Sequence, residues 1–211
     1  MKETNIEPLT LALPKGRLFD QTQEYFAKAG IHFSFEKRKL VAWDQERTLK
    51  IMLVKNGDLP TYVHHGIAGL GVCGDDVIYE SGLQFNKLRT LPFGSTKICL
   101  AGKKDSPMDE TKGSLTLATK FTKFTTDYFH KLGIPVKIIK LNGSVELAPI
   151  LGLAPYIVDL VETGGTLKAN HLEVIKKLAD IEVYFIANPA YYKLRYKQIN
   201  TLLQTIAKGD E

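Results

Sequence analysis

The residues best suited to chemistry follow an apolar run, Ile157-Val158-Asp159-Leu160-Val161, after which the chain reads Glu162-Thr163-Gly164-Gly165-Thr166-Leu167. Glycines at 164 and 165 let the main chain turn tightly and bring its N–H groups close to a ligand. A helix starting after them presents unpaired N–H groups and a partial positive charge, which suit a phosphate. Thr163 and Thr166 add hydroxyl donors, and Asp159 or Glu162 can accept hydrogen bonds from ribose hydroxyls. A Gly-rich turn alone does no more than connect elements. A strand before it, a helix after it and acids beside it give this one a chemical reading. The loop follows neither the GxxxxGK[ST] nor the GxGxxG pattern of the common nucleotide-binding turns.

Candidate charged residues lie elsewhere. Arg17 follows the first apolar run through Pro14-Lys15-Gly16, at the carboxyl end of a strand, where open α/β sheets bind ligands. As a plain helix-start residue it would be disfavoured by the dipole. Lys15 either serves phosphate there or decorates the turn. Arg38 belongs to Lys37-Arg38-Lys39, the longest basic run, whose plain reading is a solvated face. Asp76 is a nucleotide contact or a helix-start acid that the dipole favours. Glu146 positions a nucleotide or ribose, or simply sits near a short helix start.

Those side chains need elements to hold them. Apolar patterning predicts strands at 9–13, 39–43, 48–54, 69–73, 88–91, 97–101, 115–118, 136–141, 157–161 and 183–187. Between them it predicts helices at 18–28, from Asp58 to His65, from Asp75 to Ser81, at 124–132, around Glu146, at 167–178 and at 191–207. Residues 103–113 read as a polar loop and 1–8 as a loose polar start. Alternating strands and helices imply an α/β fold with mostly parallel sheets flanked by helices. A restart of the alternation near Ser95 suggests a second lobe.

The 211 residues are enough for one large domain or two small lobes, and 44% hydrophobic with 24% charged residues is ordinary globular composition. A net charge of +5 fits anionic small molecules, and no dense basic tract or recognised motif selects nucleic acid. Cys73 and Cys99 lack metal-ligand or CxxC spacing and read as reduced buried thiols. The N-terminus has no apolar signal core and no run is long enough for a bilayer, so a cytoplasmic location is expected.

The longer run from Glu146 through Gly152, Ala154, Ile157, Asp159 and Leu160 to Thr163-Gly164-Gly165-Thr166-Leu167 resembles the signature of the ATP phosphoribosyltransferase family. Leu11-Ala-Leu-Pro-Lys-Gly-Arg17-Leu18 resembles that family's N-terminal strand and turn. Arg38-Lys39-Leu40 with Asp58-Leu-Pro-Thr-Tyr-Val resembles its next basic element and helix, and Gly71-Val-Cys-Gly74-Asp-Asp76-Val-Ile-Tyr-Glu80 its GxDxxxE segment. The likeness runs from about Leu9 to Ala207. Two positions depart: Pro155 stands where the family usually has Asp, and Lys55 where Arg is common. Lys keeps the charge and loses the bidentate fork.

The resemblance implies two lobes like type II periplasmic binding proteins, with the active site in the inter-lobe cleft. Residues 1–94 plus 183–211 would form lobe I, on the ATP side, and 95–182 an inserted, PRPP-binding lobe II (PRPP, phosphoribosyl pyrophosphate). It implies attack of adenine N1 of ATP on C1 of PRPP, the first step of histidine biosynthesis, with Mg²⁺ carried by substrate phosphates and no protein metal cluster. Arg17 and Arg38 would stabilise the departing pyrophosphate. Asp159, Glu162, Thr163, Gly164, Gly165, Thr166 and Leu167 would hold PRPP, and Lys15, Lys55, Asp76 and Glu146 the nucleotide. The chain looks like the family's short form, which is a homodimer alone and a hetero-octamer with a regulatory subunit resembling histidyl-tRNA synthetase. Two rival readings remain: a non-enzymatic solute-binding module, and a phosphoribosyltransferase acting on a free base.

Overall fold

In a computed structural model, which describes residues 7–104 and 113–210, the chain forms two compact units. The first comprises residues 1–94 and 182–211, the second 95–181. Most of the expected 103–113 loop, and most of the polar start, lie outside the described residues.

The first unit is built on a six-stranded sheet in the order β2-β3-β1-β4-β11-β5. Its strands are β1 (Leu9–Pro14), β2 (Val41–Trp43), β3 (Leu49–Val54), β4 (Leu70–Gly74), β5 (Asn86–Thr90) and β11 (Val183–Ala187). The central trio β3-β1-β4 is parallel, while β2, β11 and β5 pair antiparallel. One face is covered by α1 (Arg17–Lys28) and α8 (Tyr196–Ile206), whose Tyr25, Phe26, Ile199, Leu202 and Ile206 join Leu11, Leu13, Leu49, Val72 and Phe185 in a core. On the other face α2 (Leu59–His64) and α3 (Asp75–Ser81) bury Leu59, Val63 and Ile78 against Ala12, Cys73 and Ile186.

The second unit holds a five-stranded sheet, β10-β6-β9-β7-β8. The strands are β6 (Thr96–Lys103), β7 (Leu115–Thr119), β8 (Val136–Lys140), β9 (Tyr156–Val161) and β10 (Leu172–Ile181). Here β8-β7-β9 is the parallel trio, and β6 and β10 are antiparallel. Side chains alternate along β9: Tyr156 and Val158 enter one core with Phe129 of α4 (Thr122–Lys131), and Ile157 and Val161 the other, with Val145 and Leu167.

Three expectations need correction. The class is α/β, but the sheets are mixed, parallel only within one trio each, interior in the first sheet and at one edge in the second. The helix expected at 167–178 is one short helix, α6 (Gly165–Ala169), followed by the ten-residue strand β10. His171 at φ +57 reverses the chain between them. The single helix expected at 191–207 is two, α7 (Pro189–Leu194) and α8, separated at Arg195 (φ −111, ψ 21). Arg195 leaves the helical path and pairs with Glu7. Asn188 caps α7 by accepting from the N–H groups of Ala190 and Tyr191.

The residues Gly69-Leu-Gly-Val-Cys-Gly74 spell GxGxxG, yet they are no phosphate turn, because all but the first belong to β4. Gly71 is small for packing: a Cβ there would lie 2.9 Å from Leu59 and Val63 of α2. Cys73 and Cys99 are buried free thiols, and burial pushes both thiols up, so they stay protonated. Among the described residues no helix is long and apolar enough to cross a membrane.

Gly69 sets the approach to β4. Its N–H donates to Thr10 Oγ1 at 2.7 Å, its carbonyl accepts from Asn188, and a Cβ would fall 2.1 Å from the Tyr191 ring. The ring cannot swing aside freely, since Tyr191 Oη accepts the Thr10 N–H at 3.1 Å. Gly69→Ala is expected to cost about 1–3 kcal/mol by overpacking, read from urea unfolding. An unchanged midpoint would show that the ring yields.

Candidate active site

Parallel register brings the first unit's candidates to one end of its sheet. Pro14 pairs with Val54, and Lys15 N–H donates to Val54 O at 3.0 Å, so the turns after β1 and β3 start side by side. The first turn carries Lys15 and Arg17, the second Lys55. β4 ends beside them and opens α3, whose first turn holds Asp76. β2 runs antiparallel to β3, so its start lies at the same end. Leu53 N–H donates to Leu40 O at 2.9 Å, two residues from Arg38. Lys15, Arg17, Arg38 and Lys55 are exposed, whereas Asp76 is buried and engaged within the protein. Gly16 at φ +92 makes the turn that leads Arg17 into the first position of α1. Arg38 itself adopts φ +66, an uncommon left-handed conformation for a residue with a Cβ. Strain of that kind is held at functional sites when the surroundings over-determine it.

The second unit repeats the arrangement. Its trio β8-β7-β9 also runs toward one end: Thr119, the last residue of β7, pairs with Lys140 and Val158, Leu141 N–H donates to Thr119 O at 3.1 Å, and β9 continues to Val161. After β9 come Glu162, Thr163 and Gly164. Gly164 lies at φ +77 as the N-cap of α6, and its carbonyl accepts from Lys168 N–H at 3.0 Å. Thr163, Gly165 and Thr166 are exposed, while Leu167 is buried and anchors α6 to the core. Gly165 N–H makes only a long 3.4 Å contact to Thr163 Oγ1. The first N–H groups of α6 lack intrahelical partners by helix geometry.

Asp159, half-buried on β9, lies two residues before the strand's end. Its Oδ1 is 3.4 Å from Lys120 Nζ, an ion pair, and that buried oxygen receives no well-aligned hydrogen bond. A carboxylate oxygen with spare acceptor capacity suits a sugar hydroxyl. Glu146 is half-buried at the N-cap of α5 (Leu147–Ile150), on the segment that leaves β8, just past Ser144 at φ +48. Pro155 sits at the other end: it precedes the first residue of β9, a strand length from the TGGT loop, where a missing N–H disturbs no ladder bond of β9 itself. Lys120 escaped the sequence reading. Its signal was the one that marked Arg17, a cation just past an apolar strand.

The second unit also has an open cavity of about 760 Å³ along one side of α6, lined by Gly164, Leu167, Lys168, His171 and Ile150 among others. Thr163, Gly165, Thr166 and Asp159 do not line it, so it lies beside the loop rather than at its amides. Among the described residues no three His, Cys, Asp or Glu side chains cluster to hold a metal.

Comparisons with known proteins bear on this geometry. A family model described as HisG, ATP phosphoribosyltransferase, matches residues 55–208. An ATP phosphoribosyltransferase of Caldicellulosiruptor bescii is 46% identical over 205 residues, covering 95% of this chain and 98% of that one. One of Campylobacter concisus is 42% identical, covering 94% and 97%. The ATP phosphoribosyl transferase (HisG:HisZ) complex of Thermotoga maritima contains a chain that superposes with TM-score 0.84 at 35% identity, covering 95% of this chain and 98% of that one. A BvgS VFT2 domain of Bordetella pertussis shares the fold alone, at TM-score 0.60 and 12% identity, covering 97% and 87%.

The two loop glycines are expected to respond with opposite signs. Gly164→Ala meets no atom closer than 3.9 Å, so its cost is the left-handed backbone, about 1–2 kcal/mol. Gly165 has no such φ, and Gly165→Ala should be neutral or stabilise α6 by up to about 1 kcal/mol. Equal unfolding midpoints for the two variants would contradict the assigned loop conformation.

Proposed function

The chain belongs to the ATP phosphoribosyltransferase family, and on that premise we propose how its residues carry out the family's reaction. The enzyme is a pentosyltransferase that joins ATP to PRPP in histidine biosynthesis. The lone pair on adenine N1 forms a bond to C1 of PRPP as the C1–O bond breaks. The bonding electrons leave with pyrophosphate, and the sugar carbon inverts.

PRPP belongs to the second unit in this reading. The observation that carries it is the carboxylate of Asp159, with its unfilled acceptor, on the strand that leads into the exposed Thr163–Thr166 turn. Amides at the start of α6 and the Thr163 and Thr166 hydroxyls take the 5′-phosphate. Asp159 takes ribose hydroxyls, and Glu162 lines the same turn. The first unit handles ATP and the leaving group: Lys15 and Lys55 meet phosphate, Asp76 helps place the nucleotide, and Arg17 and Arg38 stabilise pyrophosphate as charge builds on it, while Glu146 of the second unit helps place the nucleotide or ribose. Alignment of two anionic substrates supplies much of the rate.

The family generally uses a metal, and Mg²⁺ is the ion proposed here. Mg²⁺ keeps most of its waters and needs few protein oxygens, so substrate phosphates can carry it without a protein ligand cluster. When bound to the diphosphate it neutralises charge on the leaving group. The Thermotoga maritima relative is a HisG:HisZ complex, and this chain is proposed to bind a HisZ-like regulatory subunit in the same way. Two buried free thiols support a reducing, cytoplasmic setting.

The direct test is pyrophosphate release from ATP, PRPP and Mg²⁺, with the regulatory subunit added and omitted. Release that requires ATP and is not supported by free bases is expected; release with a free base would favour a different phosphoribosyltransferase. Arg17→Ala and Arg38→Ala should each raise the barrier by about 2.7–4 kcal/mol, seen as a fall in kcat. Wild-type kcat in both would remove them from the chemistry. Thr163→Ala should raise KM for PRPP more than KM for ATP; an equal rise in both would point away from the loop.

A further inference from the structure

Lys120 has no part in the account so far, yet it is the cation that the structure sets against Asp159. Its position is fixed from below. Thr119 Oγ1 donates to Val158 O at 2.6 Å and accepts the Phe121 N–H at 2.9 Å, and both bonds are buried. The turn 119–121 is thereby tied to β9 at the residue before Asp159. Phe121 is 3% exposed, so it anchors the turn, and its ring centroid lies 4.8 Å from Lys120 Nζ. The ammonium rests over the ring with one side toward Asp159 and keeps partial access to solvent, the side chain being 42% exposed.

Contact between Lys120 and Asp159 is electrostatic rather than a formed hydrogen bond. Nζ stands 3.4 Å from Oδ1, and no well-aligned donor reaches that oxygen. Asp159 therefore keeps its acceptor for a sugar hydroxyl, and Lys120 keeps its three N–H donors for another anion. Binding PRPP favours such a cation beside Asp159, in addition to the charge that Mg²⁺ offsets on the diphosphate. The diphosphate hangs from C1, the carbon next to the one bearing the 2-hydroxyl. A carboxylate that accepts from the ribose diol thus stands close to a polyanion of its own sign, and the repulsion opposes binding unless a positive charge lies between them.

Building on the placement of PRPP in the second unit, we propose that Lys120 is a ligand of the PRPP diphosphate, held on Asp159 in the free enzyme and shared between the carboxylate and the diphosphate in the complex. It acts as a point charge, which suits lysine and leaves tolerance for arginine. The same placement explains why a diol-binding carboxylate is compatible with so anionic a ligand.

Calorimetric titration with two probes, each with Mg²⁺, tests this: PRPP, and ribose 5-phosphate, which keeps the diol and the 5′-phosphate but lacks the diphosphate. Lys120→Ala should weaken PRPP binding about tenfold or more and leave ribose 5-phosphate within about twofold. Lys120→Arg should retain PRPP binding within about threefold. Placing Asp159→Asn in the Lys120→Ala background should recover part of the lost PRPP affinity, since the repulsion is gone. Equal weakening of both probes by Lys120→Ala would assign Lys120 to scaffolding alone, and unchanged binding of both would remove it from the site; either overturns the proposal. A wild-type chain that binds neither probe would instead overturn the placement of PRPP beneath it.

Discussion

The proposed site depends on parallel strand register. Within each unit three adjacent strands run the same way, so the turns that follow them emerge at one end of the sheet and nowhere else. Backbone hydrogen bonds enforce this before any side chain is considered: Lys15 N–H to Val54 O in the first unit, Leu141 N–H to Thr119 O in the second. A cation or a glycine turn placed just past a strand then becomes a neighbour of residues far along the chain, as Lys15 is of Lys55, 40 positions on. Antiparallel strands beside each trio leave this arrangement intact. β2 even extends it, because its starting end lies beside the finishing end of β3 and carries Arg38 along.

In the proposed function the two units use that constraint for different electrostatic tasks. The first gathers exposed positive charge with one buried acid, a surface for polyanions. The second offers polarised main-chain amides, hydroxyls and a carboxylate whose charge is partly balanced by Lys120. Amides and hydroxyls select a phosphate ester by geometry, whereas arginine and lysine respond to charge as it develops. A transferase that must hold a phosphosugar still while its other substituent departs needs both kinds of group.

Much of this was legible in the residues. Strand-turn-helix alternation, the glycine turn after an acid-bearing strand and the basic residues just past strands are local signals, and the structure places the corresponding elements where they pointed. What failed was non-local. Ile175, Leu178 and Ile181 recur every three residues, which reads as a helix face. In β10 that spacing comes from two bulges, where the register skips Ile175 and Leu178 and so keeps all three on one side of the sheet. Strand direction was equally hidden, since an antiparallel strand buried on both faces, such as β6 or β11, has the same apolar run as a parallel one. Lys120 was missed because its meaning lies in Asp159, about 40 residues on, which only the β7–β9 pairing brings near. The break at Arg195 likewise reflects a partner, Glu7, at the far end of the sequence.

The central claim is that main-chain amides opening α6, with the hydroxyls beside them, receive the 5′-phosphate of the sugar donor. A crystal structure of the enzyme with PRPP addresses it directly. Density for that phosphate is expected against the N–H groups of residues 164–167, with the ribose hydroxyls on Asp159. Phosphate seated elsewhere, with that turn touching only solvent, would contradict it.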